Sequence, residues 1–115
     1  TPESLISDLH RTALGAARDD GTALTNLFSG RPARGLMNRI MREIGPMSGL
    51  APAFPTAGGA LAPLKAAAEA QGASDFTSLW SGQAAGLCHE IGSGDLTRRL
   101  AEDAARRFQE LALGK

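Results

Sequence analysis

A mostly α-helical fold is predicted by three observations. The chain has no valine, no tyrosine and only four isoleucines, while alanine is abundant. Strands pack β-branched and aromatic side chains on a pleated face, so this composition favours helices. Apolar residues also recur at spacings of three and four in several windows. The 14 glycines and 6 prolines fall mainly between those windows, where they break the chain into separate elements. At most one short strand is expected, near residues 22–28.

Thr1-Pro2-Glu3 reads as a helix start, with a capping hydroxyl, a first-turn proline and a carboxylate at the positive dipole end. Leu5, Leu9 and Ala13 recur every four residues, Ile6 and Ala16 widen the stripe, and Asp19-Asp20-Gly21 ends it. Residues 22–28 alternate weakly and are the strand candidate, closed by Ser29-Gly30. Beyond Pro32 a second helix is expected. Leu36, Ile40 and Ile44 form its apolar stripe beside Met37 and Met41, while Asn38, Arg39, Arg42 and Glu43 face away.

Gly45-Pro46 stops that helix, and a loop rich in Gly, Pro, Ser and Ala runs on to Phe54-Pro55. Residues 60–71 are helix-prone, with the regular part expected to begin at Pro63. A helical turn is expected at 75–79 and a small helix at 81–90. The last helix is the clearest. Ser93 or Asp95 caps it, and Leu96, Leu100, Ala104, Phe108 and Leu111 form one apolar stripe. Arg98 with Glu102, and Asp103 with Arg107, stand at i,i+4 spacing.

A chain of 115 residues, 43% hydrophobic and 21% charged, suits one globular segment with one core, here residues 1–115. The glycines and prolines thin that core, and a lone cysteine allows no internal disulfide. The helices are therefore expected to bury their stripes, notably Leu36, Ile40 and Ile44, against something larger. Twelve basic and twelve acidic side chains cancel, which argues against a nucleic-acid binder. No window approaches the length of a membrane span and no signal segment opens the chain. With Cys88 alone, these features predict a reducing, cytoplasmic setting. A first residue of Thr1 rather than methionine reads as truncation or processing.

Few groups suggest chemistry by themselves. Cys88-His89-Glu90 uses metal-ligand residue types, but successive helical residues point about 100° apart and cannot close around one ion. No metal site is expected; Cys88 reads as a small buried apolar residue and His89 as a surface one. Ser81 lies in no nucleophile elbow and comes after no strand. Gly30-Arg31-Pro32 has Ser29 where a minor-groove hook needs a second arginine. Ser81-Gly82-Gln83-Ala84 supports two readings, backbone offered to a flat ring or anion and an ordinary serine cap.

Two runs, read together, carry a resemblance. Ser29-Gly30-Arg31-Pro32-Ala33-Arg34-Gly35-Leu36-Met37-Asn38-Arg39 resembles the stretch after the barrel in nitronate monooxygenases, formerly called 2-nitropropane dioxygenases. Leu79-Trp80-Ser81-Gly82-Gln83-Ala84-Ala85-Gly86-Leu87, with its closing helix, is similar to the C-terminal end of that family. Thr1-Pro2-Glu3-Ser4 is similar to the segment just after the family's last barrel strand. The resemblance implies the C-terminal helical region of an FMN-binding (β/α)8 barrel flavoprotein, packed on its own barrel and inactive without it. Such enzymes oxidise small alkyl nitronates with O2 to a carbonyl compound and nitrite.

By the same resemblance, Ser81, Gly82 and Gln83 would contact the FMN, while Trp80 and Phe54 would line or gate the substrate pocket. The catalytic groups and phosphate loops would belong to the barrel, so this chain carries none of them. A homodimer is compatible with the resemblance. Where some relatives carry tyrosines and a lysine near the entrance, this chain has Phe54, Gly58 and Ala62. Sister FMN-dependent NAD(P)H:quinone and enoyl-ACP reductases share a similar Gly-Gln run and stay open as alternatives, as does a non-enzymatic helical interaction module.

Overall fold

Residues 22–36 form an antiparallel strand pair where a single strand was expected. The chain is described by a computed structural model covering residues 1–114, which divides into two compact units. One is Ile6–Cys88; the other is Thr1–Leu5 together with the chain from His89 onward.

In the Ile6–Cys88 unit, β1 (Thr22–Thr25) pairs with β2 (Ala33–Leu36), setting Thr22 opposite Leu36 and Thr25 opposite Ala33. The expected strand is therefore shorter, because Leu27 and Phe28 turn inward as core residues instead of extending it. Gly30 makes the reversal with φ of 85°, and a Cβ there would collide with the backbone of residues 52–54. The β2 strand replaces the first turn of the expected second helix. That helix shrinks to α2 (Arg39–Glu43), because the backbone of residues 33–36 is taken up by strand pairing.

The strand pairing changes what the Leu36, Ile40 and Ile44 stripe does. Leu36 and Ile40 are only 5% and 3% exposed, covered by the chain itself, and only Ile44 is open at 44%. Ile40 and Met41 join Leu27 and Phe28 in one core, with Ala23, Met37, Ala51, Leu61 and Phe76 packed around it. Leu36, Leu79 and Ala85 make a second core, against Ala13, Leu14 and Ala17. The last three come from α1 (Asp8–Gly15) and the residues after it.

The α1 helix starts six residues later than expected, where Ser7 Oγ accepts the His10 N–H at 3.3 Å. The third helix, α3 (Ala57–Glu69), starts earlier and contains Pro63. Its missing hydrogen bond falls opposite Gly59, whose backbone adapts readily, and fully buried Ala57 anchors the first turn. The expected turn forms near 74–77, with Thr77 N–H donating to Ser74 O. Of the helix expected at 81–90, only a 3-10 turn at Ala85–Leu87 forms, since Ser81 is drawn into pairing with β2. Cys88 is exposed rather than buried, because no packed helix carries it inward.

The second unit is dominated by α4 (Ser93–Ala112). Gly92 occupies its N-cap, and the capping acceptor comes from far away in sequence. Both Glu3 oxygens accept the Ser93 N–H at 3.2 Å. The expected i,i+4 pairs form instead at i,i+3: Arg98 with Asp95, Arg106 with Asp103, and Arg107 with Glu110. Both spacings bring side chains together on a helix, and here the partner three residues away wins over the one four away. The apolar stripe does form and is open, with Leu100, Phe108 and Leu111 all exposed. No helix among the described residues is long and apolar enough to cross a membrane.

Two of these contacts are directly testable. A Cβ at Gly35 would stand 2.9 Å from the Leu79 carbonyl oxygen, so Gly35→Ala should cost roughly 1–3 kcal/mol of stability in chemical unfolding. Glu3 is held below its ordinary pKa of 4.5, first by its own backbone N–H and then by Ser93. The folded-state pKa is depressed, so this cap is present above about 4.5 and is lost as pH falls through the lowered value. Amide exchange at Ser93 should accelerate on acidification, and Glu3→Ala should remove that dependence.

Candidate functional site

Residues 79–81 hang from β2 as an added strand-like edge. Leu36 N–H donates to Leu79 O at 2.8 Å, Ser81 N–H donates to Arg34 O at 3.2 Å, and Gly35 pairs with Trp80 in an antiparallel bridge. Gly35 permits this approach, since a side chain would meet both the Leu79 backbone and the Trp80 ring. The Trp80 carbonyl turns the other way and lies 3.0 Å from His10 Nε2 on α1. A carbonyl only accepts, so Nε2 carries the proton.

The Trp80 ring stands edge-on to Phe28, with centroids 5.8 Å apart and planes at 89°. It remains 39% exposed, so one part is packed and another is open. Ser81 Oγ donates to Gly82 O at 3.2 Å. Gly82 has no atom near the position of a Cβ, and Gln83 is exposed. Together these residues offer an anchored aromatic and then open backbone. That arrangement fits one wall of a flat-ring site; Ser81 is not a helix cap here.

Phe54 sits apart from that segment on the loop before α3, half exposed, with the Arg31 guanidinium 4.4 Å above its ring. Both aromatics flank the β1–β2 connection, since Phe28 touches Trp80 and Gly30 abuts the Phe54 backbone. In the sequence, Trp80 and Phe54 are linked only through the family resemblance, and His10 has no evident partner. A histidine one turn inside a capped helix carries no signal of a carbonyl seventy residues away.

The arginines near this connection are employed within the chain. Arg34 donates to Thr22 across the strand pair, at 3.3 Å to its carbonyl and 3.1 Å to its hydroxyl. Arg39 pairs with Glu43 at 2.7 Å, which raises its pKa further, and it also lies over Phe76. Arg42 reaches the Met37 carbonyl. Among the described residues, no three His, Cys, Asp or Glu side chains cluster to hold a metal ion.

The loop leading into this segment is pinned from below by Asn38. Its Nδ2 donates to Ser74 O at 3.2 Å and to Thr77 O at 2.9 Å, from a position only 5% exposed. Thr77 Oγ1 in turn donates to Glu69 at 2.7 Å, tying the loop to α3. An open groove of about 340 Å³ runs beside Asn38, with Ala13, Ala17, Leu36, Leu79 and Arg42 on its walls.

A sequence-family model for nitronate monooxygenase matches residues 1–103. The chain is 40% identical over 103 residues to the nitronate monooxygenase of Pseudomonas aeruginosa, covering 89% of this chain and 29% of that protein. It is 28% identical over 102 residues to a probable nitronate monooxygenase of Staphylococcus saprophyticus, with the same coverages. The crystal structure of a nitroalkane oxidase from Streptomyces ansochromogenes superposes with a TM-score of 0.81 and 37% identity, over 95% of this chain and 31% of that one. The chain thus spans less than a third of the length of these relatives.

Asn38→Ala would strip the Thr77 carbonyl of its donor and leave Ser74 O with the Thr77 N–H alone. It should lower stability by roughly 1–3 kcal/mol, read from denaturant unfolding monitored by the emission of Trp80, the sole tryptophan.

Proposed function

The chain belongs to the nitronate monooxygenase family, and from that premise we propose that it is the C-terminal helical region of an FMN-dependent (β/α)8 enzyme. The reaction is the oxidation of an alkyl nitronate by O2 to a carbonyl compound and nitrite. The observation that carries this reading is the collinear family match over residues 1–103, which includes both diagnostic runs.

In this reading the chain supplies a wall and a gate. FMN, held mainly by the barrel, supplies the electron transfer. Ser81, Gly82 and Gln83 border the flavin, where the open backbone at Gly82 lets a flat ring approach closely. Trp80, braced by Phe28, excludes water beside it. Phe54 lines the entrance, and Arg31 stacked on it places a positive charge where an anionic nitronate would arrive. The exposed stripe of α4 is suited to cover by the remainder of the protein or by a second copy in a homodimer. A cytoplasmic location accords with this chemistry.

The test is expression of the longest open frame that contains this sequence. A yellow protein that releases nitrite from an alkyl nitronate in air is the expected result, with the 115-residue chain alone colourless and without turnover. Flavin with NAD(P)H oxidation but no nitrite would move the assignment to the reductase branch. A colourless product of the full frame would remove the enzyme reading and leave a helical interaction module.

A further inference from the structure

We propose that His10 is a positioning residue, which sets the plane of the Trp80–Ser81 peptide and with it the wall presented to the flavin. The flavin part of this inference rests on the family reading; the clamp itself rests on geometry alone. The Trp80 carbonyl and the Ser81 N–H belong to one planar peptide group and point in opposite directions. Both ends are held. The N–H donates to Arg34 O in β2 at 3.2 Å, and the carbonyl accepts from His10 Nε2 in α1 at 3.0 Å.

A plane held at one end only can swing about the chain axis. The next residue but one is Gly82, which has open space around it and adds no stiffness of its own. Water could satisfy the carbonyl in place of His10 but would not fix its direction, since it is not anchored to α1. His10 is itself placed by the cap that starts α1, through the Ser7 hydroxyl. The path from Ser7 to the 80–81 peptide therefore runs through two hydrogen bonds and one rigid ring.

The chain contains a single tryptophan, Trp80, and no tyrosine, so its indole emission reports on this peptide directly. His10→Gln keeps an N–H donor of comparable reach, and His10→Met keeps similar bulk without one. The wild type and His10→Gln should show the same anisotropy decay and acrylamide quenching. His10→Met should enlarge the mobile fraction roughly 2- to 10-fold, the factor that one net hydrogen bond commands. A His10→Met variant indistinguishable from wild type would overturn the clamp, as would a His10→Gln variant equally perturbed.

A measurement on the unaltered chain covers the case of a variant that does not fold. Imidazole nitrogen NMR should place the neutral-state proton of His10 on Nε2, and a proton on Nδ1 would overturn the inference. In the flavin-carrying parent, His10→Met should raise KM for the nitronate several-fold while His10→Gln stays near wild type. Equal kinetics across the three would confine His10 to the fold and end its positioning role. The fluorescence and NMR results need neither flavin nor nitrite, so they stand apart from any failure of the nitronate reading.

Discussion

The close approach of Leu79 and Trp80 to Gly35 is the contact on which the Ile6–Cys88 unit depends. The β2 strand has β1 on one side, and its other side would be an open edge if a side chain stood at residue 35. With glycine there, the 79–81 segment completes the pairing and brings three distant parts of the chain to one place. Leu36 and Leu79 then meet Ala85 and the end of α1 in a shared core, and Trp80 reaches Phe28. The proposed flavin-side segment is thus held by backbone hydrogen bonds before any side chain acts.

Side-chain amides extend this scaffold through loops that carry little regular structure. Asn26 and Ser48 exchange two hydrogen bonds at 2.9 Å, imitating a strand pair between the β1 end and the loop after α2. Asn38 acts on residues 74–77 by donation alone, its amide Nδ2 holding the Ser74 and Thr77 carbonyls. Buried carbonyls need such partners, and asparagine supplies them without regular pairing. A chain rich in glycine and proline can in this way hold an irregular path as firmly as a sheet would.

Charge is balanced locally as well as in total. The salt bridges of α2, α3 and α4 join near neighbours on the same helix, and their side chains are partly to largely exposed. Exposed pairs of this kind contribute little to stability. The charged interaction with structural consequence is the one that crosses sequence, Glu3 at the start of α4, where a carboxylate meets an N–H and the positive end of a helix dipole. Arg34 and Arg31 likewise act through their contacts, a threonine across the strand pair and an aromatic ring.

Composition and local periodicity foretold the predominance of helix over strand and the long final helix with its apolar stripe, while two collinear runs carried the resemblance to the family. These are properties of neighbouring residues or of short words, and need no folded partner to be read. The tertiary structure decided the second strand, the burial of Leu36 and Ile40, and the capping of α4 by Glu3. Each of these turns on a hydrogen-bond partner or packing surface distant in sequence. A helical stripe at 36, 40 and 44 fits the period, yet strand pairing at 33–36 takes the backbone first, and the side chains go with it into a different core. His10 shows the same limit most plainly: its partner is one carbonyl seventy residues away, which only the folded backbone brings within reach.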